Sequence, residues 1–358
     1  MYPFYLGIDL HLKRTYMVLM NQTGEVIDER RISNNEIKEY LIERVPKNTH
    51  AVMEATRNWA FMYDHLSQHV ERVDLAHPKE LKAISSAVVK ADHIDAKVLA
   101  NLARLDFLPT SYAAPKDIRD LRTYIRHRDQ LVRMRTQVKN RTHAVLASYN
   151  IASPVSDLFG VEGREFLEEV MQTKLRTAAK KVLHDHLYLI DELSKQIEIV
   201  EAEIKLSPEQ NQMVRLLKTV PGIGQVTATT IMAEIGDIHR FHSAKALCNW
   251  AGLTPKIHSS DVIVRHGRIS KQGSSLLRGA MTRAATAASR SSKRWYVVHE
   301  NLLPRCGKVA AKVAVARRLL TVVFYMLKRM EPYQEDYGRN IQGTGEPVAL
   351  HGSLKPTR

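Results

Sequence analysis

The pattern of apolar and polar positions divides the chain into three stretches. Up to residue 112 the apolar residues come in short runs broken by turn signals. FYLGID reads as a strand ending at Asp9, RTYMVLM as a second strand, and EVIDERRIS, after the NQTG turn, as the returning limb of a hairpin. Asn34 and Asn35 can cap a helix through NEIKEYLIER, and HAVMEA is a fourth strand that reaches its end at Glu54. Residues 57–69 have helical periodicity, RVDLA is a fifth strand, Pro78 opens a further helical stretch, and ADHIDAKVLANLARL is an amphipathic helix. The order βββαβαβα predicts a mixed sheet with helices on its faces, since a meander is followed by βα units.

From 113 to 208 strand signals vanish. Ile118, Leu121, Ile125, Val132, Val138 and Val145 recur at steps of three, four or seven, the seam of a long helix. A second helix is predicted over 174–206. The Pro/Gly-containing stretch ASPVSDLFGVEG between them suggests a coiled-coil hairpin. From 209 to 335 the pattern is mainly helical. LLKTVPGIGQVTATTIMAEIGD reads as helix, tight glycine turn, helix, which is the form of a helix-hairpin-helix. FHSAKALCNWAGL, SSLLRGAMTRAATAASRSS and GKVAAKVAVARRLLTVVFYMLKRM are further helices, and KIHSSDVIVRHGRISKQG is a polar, basic loop with room for a hairpin. The last stretch, 336–358, is polar and Gly/Pro-rich and is expected to be a disordered tail. The fold class expected is α/β followed by all-α.

Charge sharpens this picture. The 358 residues suffice for two or three domains with real cores, and 53 Lys plus Arg against 38 Asp plus Glu leave a net charge of +15. Such an excess points to a polyanionic partner, most often nucleic acid. It is concentrated in residues 116–141, where nine Lys or Arg face only Asp117, Asp120 and Asp129. Ordinary surface helices mix signs, so Arg122, Arg126, Arg128, Arg133, Arg135 and Lys139 are candidate contacts to a phosphate backbone. The two cysteines, Cys248 and Cys306, have neither metal-like spacing nor a disulfide framework. The N-terminus lacks the pattern of a signal peptide, and no apolar run reaches the ~20 residues that span a bilayer. A cytoplasmic protein with no membrane partner is expected.

The candidate chemistry lies in the first and third stretches. Asp9 and Glu54 end strands one and four, and Asp92 and Asp95, spaced i, i+3, share one helix face. In a βββαβαβα sheet strands one and four pair at the centre, so the four carboxylates are expected to converge. Bare, they would repel. A divalent cation removes that conflict, and hard oxygen ligands suit Mg2+, with Mn2+ as the alternative. Gly222 and Gly224 let the helix-hairpin-helix turn tightly, which aims the N–H groups of the second helix at a DNA phosphate. The basic loop holds Ser259, Ser260, Ser270, Ser274 and Ser275 among Lys256, Arg265, His266, Arg268 and Lys271. A serine beside such cations could attack a phosphodiester, but spacing alone selects none of the five.

These residues resemble a known family. GID (7–9), MEAT (53–56), DHIDA (92–96), VPGIGQVTA (220–228), NWAGLTP (249–255) and GRISKQG (267–273) are similar to motifs of the DEDD transposases of bridge-RNA-guided insertion sequences, the IS-one-ten and IS-eleven-eleven groups, whose domains the pilin-gene invertases share. The resemblance covers about residues 4–330. It implies a RuvC-like (RNase H-type) domain over 1–112 with Asp9, Glu54, Asp92 and Asp95 as metal ligands. It implies a coiled coil for dimerisation and RNA contact over 113–208, and a transposase domain with a catalytic serine over 209–335. The position that matches that serine is Ser260, with Ser259 adjacent. The family often has YESG-like residues where this chain reads IHSSD. The implied partners are donor and target duplex DNA, a guide RNA encoded by the element, and further copies of the chain forming a dimer and then a tetramer. In that mechanism the serine of one protomer completes the metal site of another and forms a covalent phosphoserine.

Three other readings make different demands. A structure-selective nuclease would activate water at the tetrad and need no serine. A binding or architectural protein with decayed catalysis would not need the tetrad. An actin-like ATPase would carry a Gly-rich phosphate loop after the first strand, and LHLKR is not one.

Overall fold

A computed structural model describes residues 1–84, 92–260 and 263–335. The segment expected to be a disordered tail lies outside them. The chain forms two compact units, Met1–Pro115 and Lys116–Arg358.

The first unit is built on strands β1 (Phe4–Leu10), β2 (Arg14–Asn21) and β3 (Val26–Ser33), helix α1 (Ile37–Arg44), β4 (Thr49–Glu54), α2 (Trp59–Leu66), β5 (Arg72–Ala76), α3 (Pro78–Ile84), α4 (Asp92–Arg104) and a short edge strand β6 (Thr110–Ser111). The six-stranded sheet has the order β3-β2-β1-β4-β5-β6. The meander β1–β2–β3 is antiparallel, β1, β4 and β5 run parallel, and β6 returns antiparallel to β5. The expected mixed sheet is therefore present, with β1 and β4 paired at its centre. The two-residue β6 is too short to announce itself by periodicity.

Alternation along β1 sends its residues to two cores. Leu6, Ile8 and Leu10 pack with Tyr40 and Leu41 of α1 and Met62 and Leu66 of α2. On the other face Tyr5 packs with Ala96, Leu99 and Ala100 of α4, joined by Val52 of β4. Gly7 lies on this second face, and a Cβ there would collide with the Ala96 carbonyl oxygen and come within 2.8 Å of the Ala100 amide nitrogen. The backbone of α4 thus rests directly on the backbone of β1.

The second unit begins with α5 (Lys116–Ser148), followed by α6 (Val161–Thr173), α7 (Thr177–Glu203), α8 (Pro208–Leu217), α9 (Gln225–Ile235) and α10 (Ala244–Trp250). A hairpin of β7 (Pro255–Ser260) and β8 (Ile263–Ile269) comes next, then α11 (Ser275–Ser291) and α12 (Lys293–Arg329). Helices α5 and α7 are antiparallel, with Leu131 against Ile197 and Val200, and Leu146 sharing a cluster with Leu183. The segment between them is not a bare connection: α6 contributes Leu167 and Val170 to that second cluster. At the other end of α5, Leu121 and Ile125 belong to the core formed by α8–α12. The stretches 113–208 and 209–335 share one packed unit for this reason. Helix α12 folds at Gly307 (φ 76°, ψ 167°) into two limbs. They run back along each other, since Trp295 Nε1 near the start donates to Tyr333 OH beyond the end at 3.0 Å.

Gly7→Ala should force α4 off the sheet and lower stability by about 1–3 kcal/mol, the usual cost of overpacking. A urea or thermal unfolding midpoint equal to that of the parent protein would contradict this packing.

Candidate active site and nucleic-acid surfaces

The close approach at Gly7 decides what lies above the ends of the central strands. The last parallel pair of β1 and β4 is Ile8 with Met53, so Asp9 and Glu54 are the next residues along neighbouring strands. Asp9 is two residues from Gly7, and Glu54 two from Val52, so both belong to the face that α4 covers. Helix α4 runs against β1: its residue His93 stacks near Tyr16, the antiparallel partner of Asp9, with ring centroids 6.1 Å apart. Its far end, Arg104, lies beside Gly24 in the β2–β3 turn. The first turn of α4 therefore stands over the Asp9 end of the sheet. Position 92 falls on the helix stripe of Ala96 and Ala100, and Asp95 is an exposed residue one turn on.

Asp9 and Glu54 are half-buried. His11 Nε2 lies 3.1 Å from Asp9 Oδ2. The loop carrying His11 is held from two sides, by Asn34 Nδ2 donating to the His11 carbonyl at 2.9 Å and Asn58 Nδ2 donating to the same oxygen at 3.1 Å. Sequence reasoning missed His11 and the two asparagines. Asn34 was expected to act as a helix cap, and no periodicity marks a residue that fixes a loop. Among the described residues, no three His, Cys, Asp or Glu side chains stand close enough to enclose an ion. The Asp92 side chain lies outside the described atoms. The structure brings Asp9 and Glu54 to adjacent strand ends, and carboxylate oxygens are donors that suit a hard divalent cation.

A second titratable group belongs to the opposite end of the sheet. His50 Nε2 and Arg72 Nη2 lie 2.9 Å and 2.8 Å from Asp74 Oδ2. Burial raises the Asp74 pKa, but the bonds from His50 and Arg72 outweigh it and hold the carboxyl below its usual value. This cluster ties β4 to β5.

In the helical unit the β7–β8 hairpin has Ser260 as the last residue of β7, paired with Ile263. Residues 261 and 262, and the side chains of 257–260 and 263–266, Ser259, Ser260 and Arg265 included, lie outside the described atoms. The base of the hairpin is well fixed. Ser270 N donates to the Thr254 carbonyl at 2.9 Å, Lys271 N to the Gly252 carbonyl at 3.3 Å, and Arg278 Nη1 to the Ala251 carbonyl at 3.0 Å. The segments NWAGLTP and GRISKQG are thus clasped together beneath the serine strand. Two of the five loop serines have local work: Ser274 Oγ accepts from Leu277 N at 3.0 Å as the cap of α11, and Ser270 Oγ accepts from Gln272 N at 3.4 Å. Arg268 and Lys271 are exposed.

The cations of α5 are largely engaged within the chain. Arg122 Nε and Nη2 donate to the carbonyls of Ala233 (2.8 Å) and Glu234 (3.0 Å), which caps the end of α9. Arg126 makes a two-pronged pair with Glu234, at 2.9 and 3.1 Å, and that carboxylate is only 2% exposed. Arg128 meets Glu201 at 2.6 Å, Arg133 meets Asp129 at 2.6 Å, Arg135 donates to Ser194 Oγ at 2.9 Å, and Lys139 Nζ stands 4.6 Å above the Phe159 ring. Four of these cations, Arg122, Arg126, Arg128 and Arg135, thus fasten α5 to α7 and α9. The glycines of the turn differ from each other. Gly222 (φ +83°) packs on the backbone of α11, where a Cβ would come within 2.5 Å of the Ala284 carbonyl oxygen, whereas Gly224 caps α9 in open space.

Comparisons with known proteins match two stretches of the chain. A DEDD transposase profile of the IS110 type matches residues 6–151, and the profile described as the transposase IS116/IS110/IS902 family matches residues 214–299. The chain belongs to this transposase family. It is 26% identical over 342 residues to the transposase for insertion sequence element IS1111A of Coxiella burnetii, covering 92% of this chain and 91% of the relative. A probable family 20 transposase of Pseudomonas aeruginosa is 24% identical over 347 residues, 92% of this chain and 98% of the relative. The pilin gene-inverting protein of Moraxella bovis is 24% identical over 295 residues, 80% and 82% of the two chains. The transposase is thus an enzyme of DNA recombination with DNA as its substrate, and membership of a DEDD group points to dependence on a divalent metal. Among the described residues no helix of the transposase is long and apolar enough to cross a membrane.

Arg126→Ala should lower stability by about 2–3 kcal/mol, because it leaves a buried carboxylate without its partner. Arg133→Ala removes only an exposed pair and should cost less than about 0.5 kcal/mol. Equal unfolding midpoints for the two variants would contradict the assignment. The Asp74 cluster predicts a pH effect. A carboxyl with a depressed folded pKa stabilises above its unfolded value and loses that stability as pH falls through its folded value. The stability gap between the parent and Asp74→Asn should therefore be present at neutral pH and close below about pH 4. A gap that persists in acid would contradict it.

Proposed function

We propose that the transposase is an RNA-guided DNA recombinase that cuts and rejoins DNA through a serine nucleophile, with a RuvC-like acidic site in its first unit. The observation that carries the proposal is the arrangement of Asp9 and Glu54. They end adjacent parallel strands on one face of the sheet, beneath the first turn of the helix that bears Asp92 and Asp95. The strand order with β1 and β4 central supports the RuvC-like assignment.

Asp9, Glu54, Asp92 and Asp95 would hold a divalent cation, Mg2+ or Mn2+, which supplies Lewis acidity to a phosphate oxygen when bound. His11 braces Asp9 from the solvent side. Ser260 is the proposed nucleophile, on a strand whose base is clasped by NWAGLTP and GRISKQG. Its Oγ gives up its proton and forms a bond to phosphorus, the bond from phosphorus to the 3′ oxygen breaks, that oxygen takes up a proton and leaves as a hydroxyl, and the product is a phosphoserine adduct. Attack by the freed hydroxyl of the other DNA reverses the chemistry and restores the serine. Integration of an element and inversion of a segment use the same strand exchange, and the likeness to the pilin gene-inverting protein keeps both within this proposal. The partners proposed are donor and target duplex DNA, a guide RNA, and other copies of the chain. Exposed Val182 and Leu189, seven residues apart on α7, with Tyr188 and Ile199, support a dimer formed along the α5–α7 pair.

Incubation with donor and target DNA and the co-purified RNA in Mg2+, followed by denaturing electrophoresis, should trap a protein–DNA adduct. Ser260→Ala should abolish it and recombination by at least a hundredfold, Ser259→Ala should retain it, and Asp9→Asn or chelation should abolish cleavage altogether. Undiminished cleavage by Ser260→Ala would replace the proposal with a nuclease that uses water.

A further inference from the structure

The turn between the two limbs of α12 is a cationic projection that neither the acidic site nor the serine hairpin uses. From Asn301 to Met330 the chain has seven Lys or Arg and no Asp or Glu. Pro304 to Ala310 are exposed, with Val309 80% exposed at the apex. Arg305 lies before the fold at Gly307, and Lys308, Lys312, Arg317 and Arg318 follow it. The nearest acid on the element, Glu300, is engaged by His299 Nδ1 at 3.1 Å. Among the described residues none of these five cations forms an ion pair.

Because the limbs run antiparallel, Arg305 of the first limb comes beside Arg318 of the second. Partial burial, with the charges of Arg317 and Arg305 beside it, holds the Arg318 guanidinium below its ordinary pKa. Like charges kept together without acidic partners destabilise a fold unless a polyanion neutralises them. A protein selected only for stability would have interspersed Glu here, as it does on α7.

We infer that the basic tip of α12, centred on Arg305, Lys308 and Lys312, is a contact surface for the phosphodiester backbone of duplex DNA. The inference rests on the reading of the chain as a DNA recombinase. DNA is the occupant favoured because it is the substrate that family membership supplies, whereas the RNA partner is itself a proposal. The cations carry no base-reading geometry, so the contact is one of position and affinity, not of sequence.

The test uses the full chain and a fluorescein-labelled mixed-sequence DNA duplex, titrated by anisotropy across a series of KCl concentrations. Each lost phosphate contact removes roughly 0.9 from the slope of log affinity against log salt. The triple variant R305Q/K308Q/K312Q should therefore lose about 2–3 from the slope and bind at least about tenfold more weakly, with a thermal midpoint no lower than that of the parent. A retained slope overturns the inference. A second readout does not depend on the variant folding. Cys306 is exposed at the tip, whereas Cys248 is buried and its thiol pKa is raised by that burial, so a photo-crosslinker attaches selectively to Cys306 of the otherwise unaltered protein. Crosslinks to the duplex are expected. Crosslinks to added single-stranded RNA alone, or none to nucleic acid, overturn the assignment. Asp9→Asn separates the two levels. It should keep the parent slope while losing cleavage, and a parent protein with no affinity for duplex DNA would sink the recombinase proposal along with this one.

Discussion

The contact on which the candidate site depends is backbone against backbone, where α4 lies on β1 at Gly7. No side chain intervenes, and the Ala96 carbonyl and Ala100 amide occupy the place where a Cβ would be. Close packing of this kind fixes the height of a helix above a sheet to within a fraction of a side chain. It also fixes what the first turn of that helix can reach. With α4 running against β1, positions 92 and 95 come to the end of the sheet where Asp9 and Glu54 sit, not to the end held by His50, Arg72 and Asp74. The two clusters share one sheet and separate in role. One contains an acid bonded to two cationic partners, and the other has Asp9 and Glu54 on neighbouring strands with His11 beside Asp9.

In the helical unit a corresponding constraint is the pairing of Arg126 with buried Glu234, with Arg122 on the last carbonyls of α9. A buried carboxylate demands a partner, so this pair sets where α9 stands relative to the long α5. Its other end, Gly224 and the start of α9, is consequently held in the open, with Gly222 packed against α11. Rigid elements that present a turn in this way suit the positioning of a DNA backbone.

Much of the architecture was legible in the sequence. The apolar runs of β1 and β4, buried on both faces, the turn residues between β2 and β3 and the 3.6-residue seam of α5 could all be read from the order of apolar and polar positions. Beta-strand β6 and helix α6 were not legible, the first because two residues carry no period and the second because its Pro/Gly-containing approach masks its start. The carboxylates Asp9 and Glu54 could be read because they end strands, and strand ends are visible. His11 could not, because its place beside Asp9 depends on Asn34 and Asn58 reaching across from other segments. The charge pattern of α5 left out the partners of its cations for a physical reason. Composition counts cations but not their partners, and those of Arg122, Arg126, Arg128 and Arg135 lie 59 to 112 residues away in the chain. The β7–β8 hairpin was legible as an option, and its clasped base explains why two short motifs flank it.

On the proposed mechanism, acidic residues from β1, β4 and α4 hold one ion between them. Titration of the metal-free protein with Mn2+, followed by electron paramagnetic resonance of the free ion, measures it without any nucleic acid. Binding should be saturable in the parent chain and at least tenfold weaker in Asp9→Asn, in Glu54→Gln and in Asp92→Asn alike, with Asp74→Asn unaffected. Binding of equal strength in the parent and Asp9→Asn, or dependence on Asp74, would contradict it.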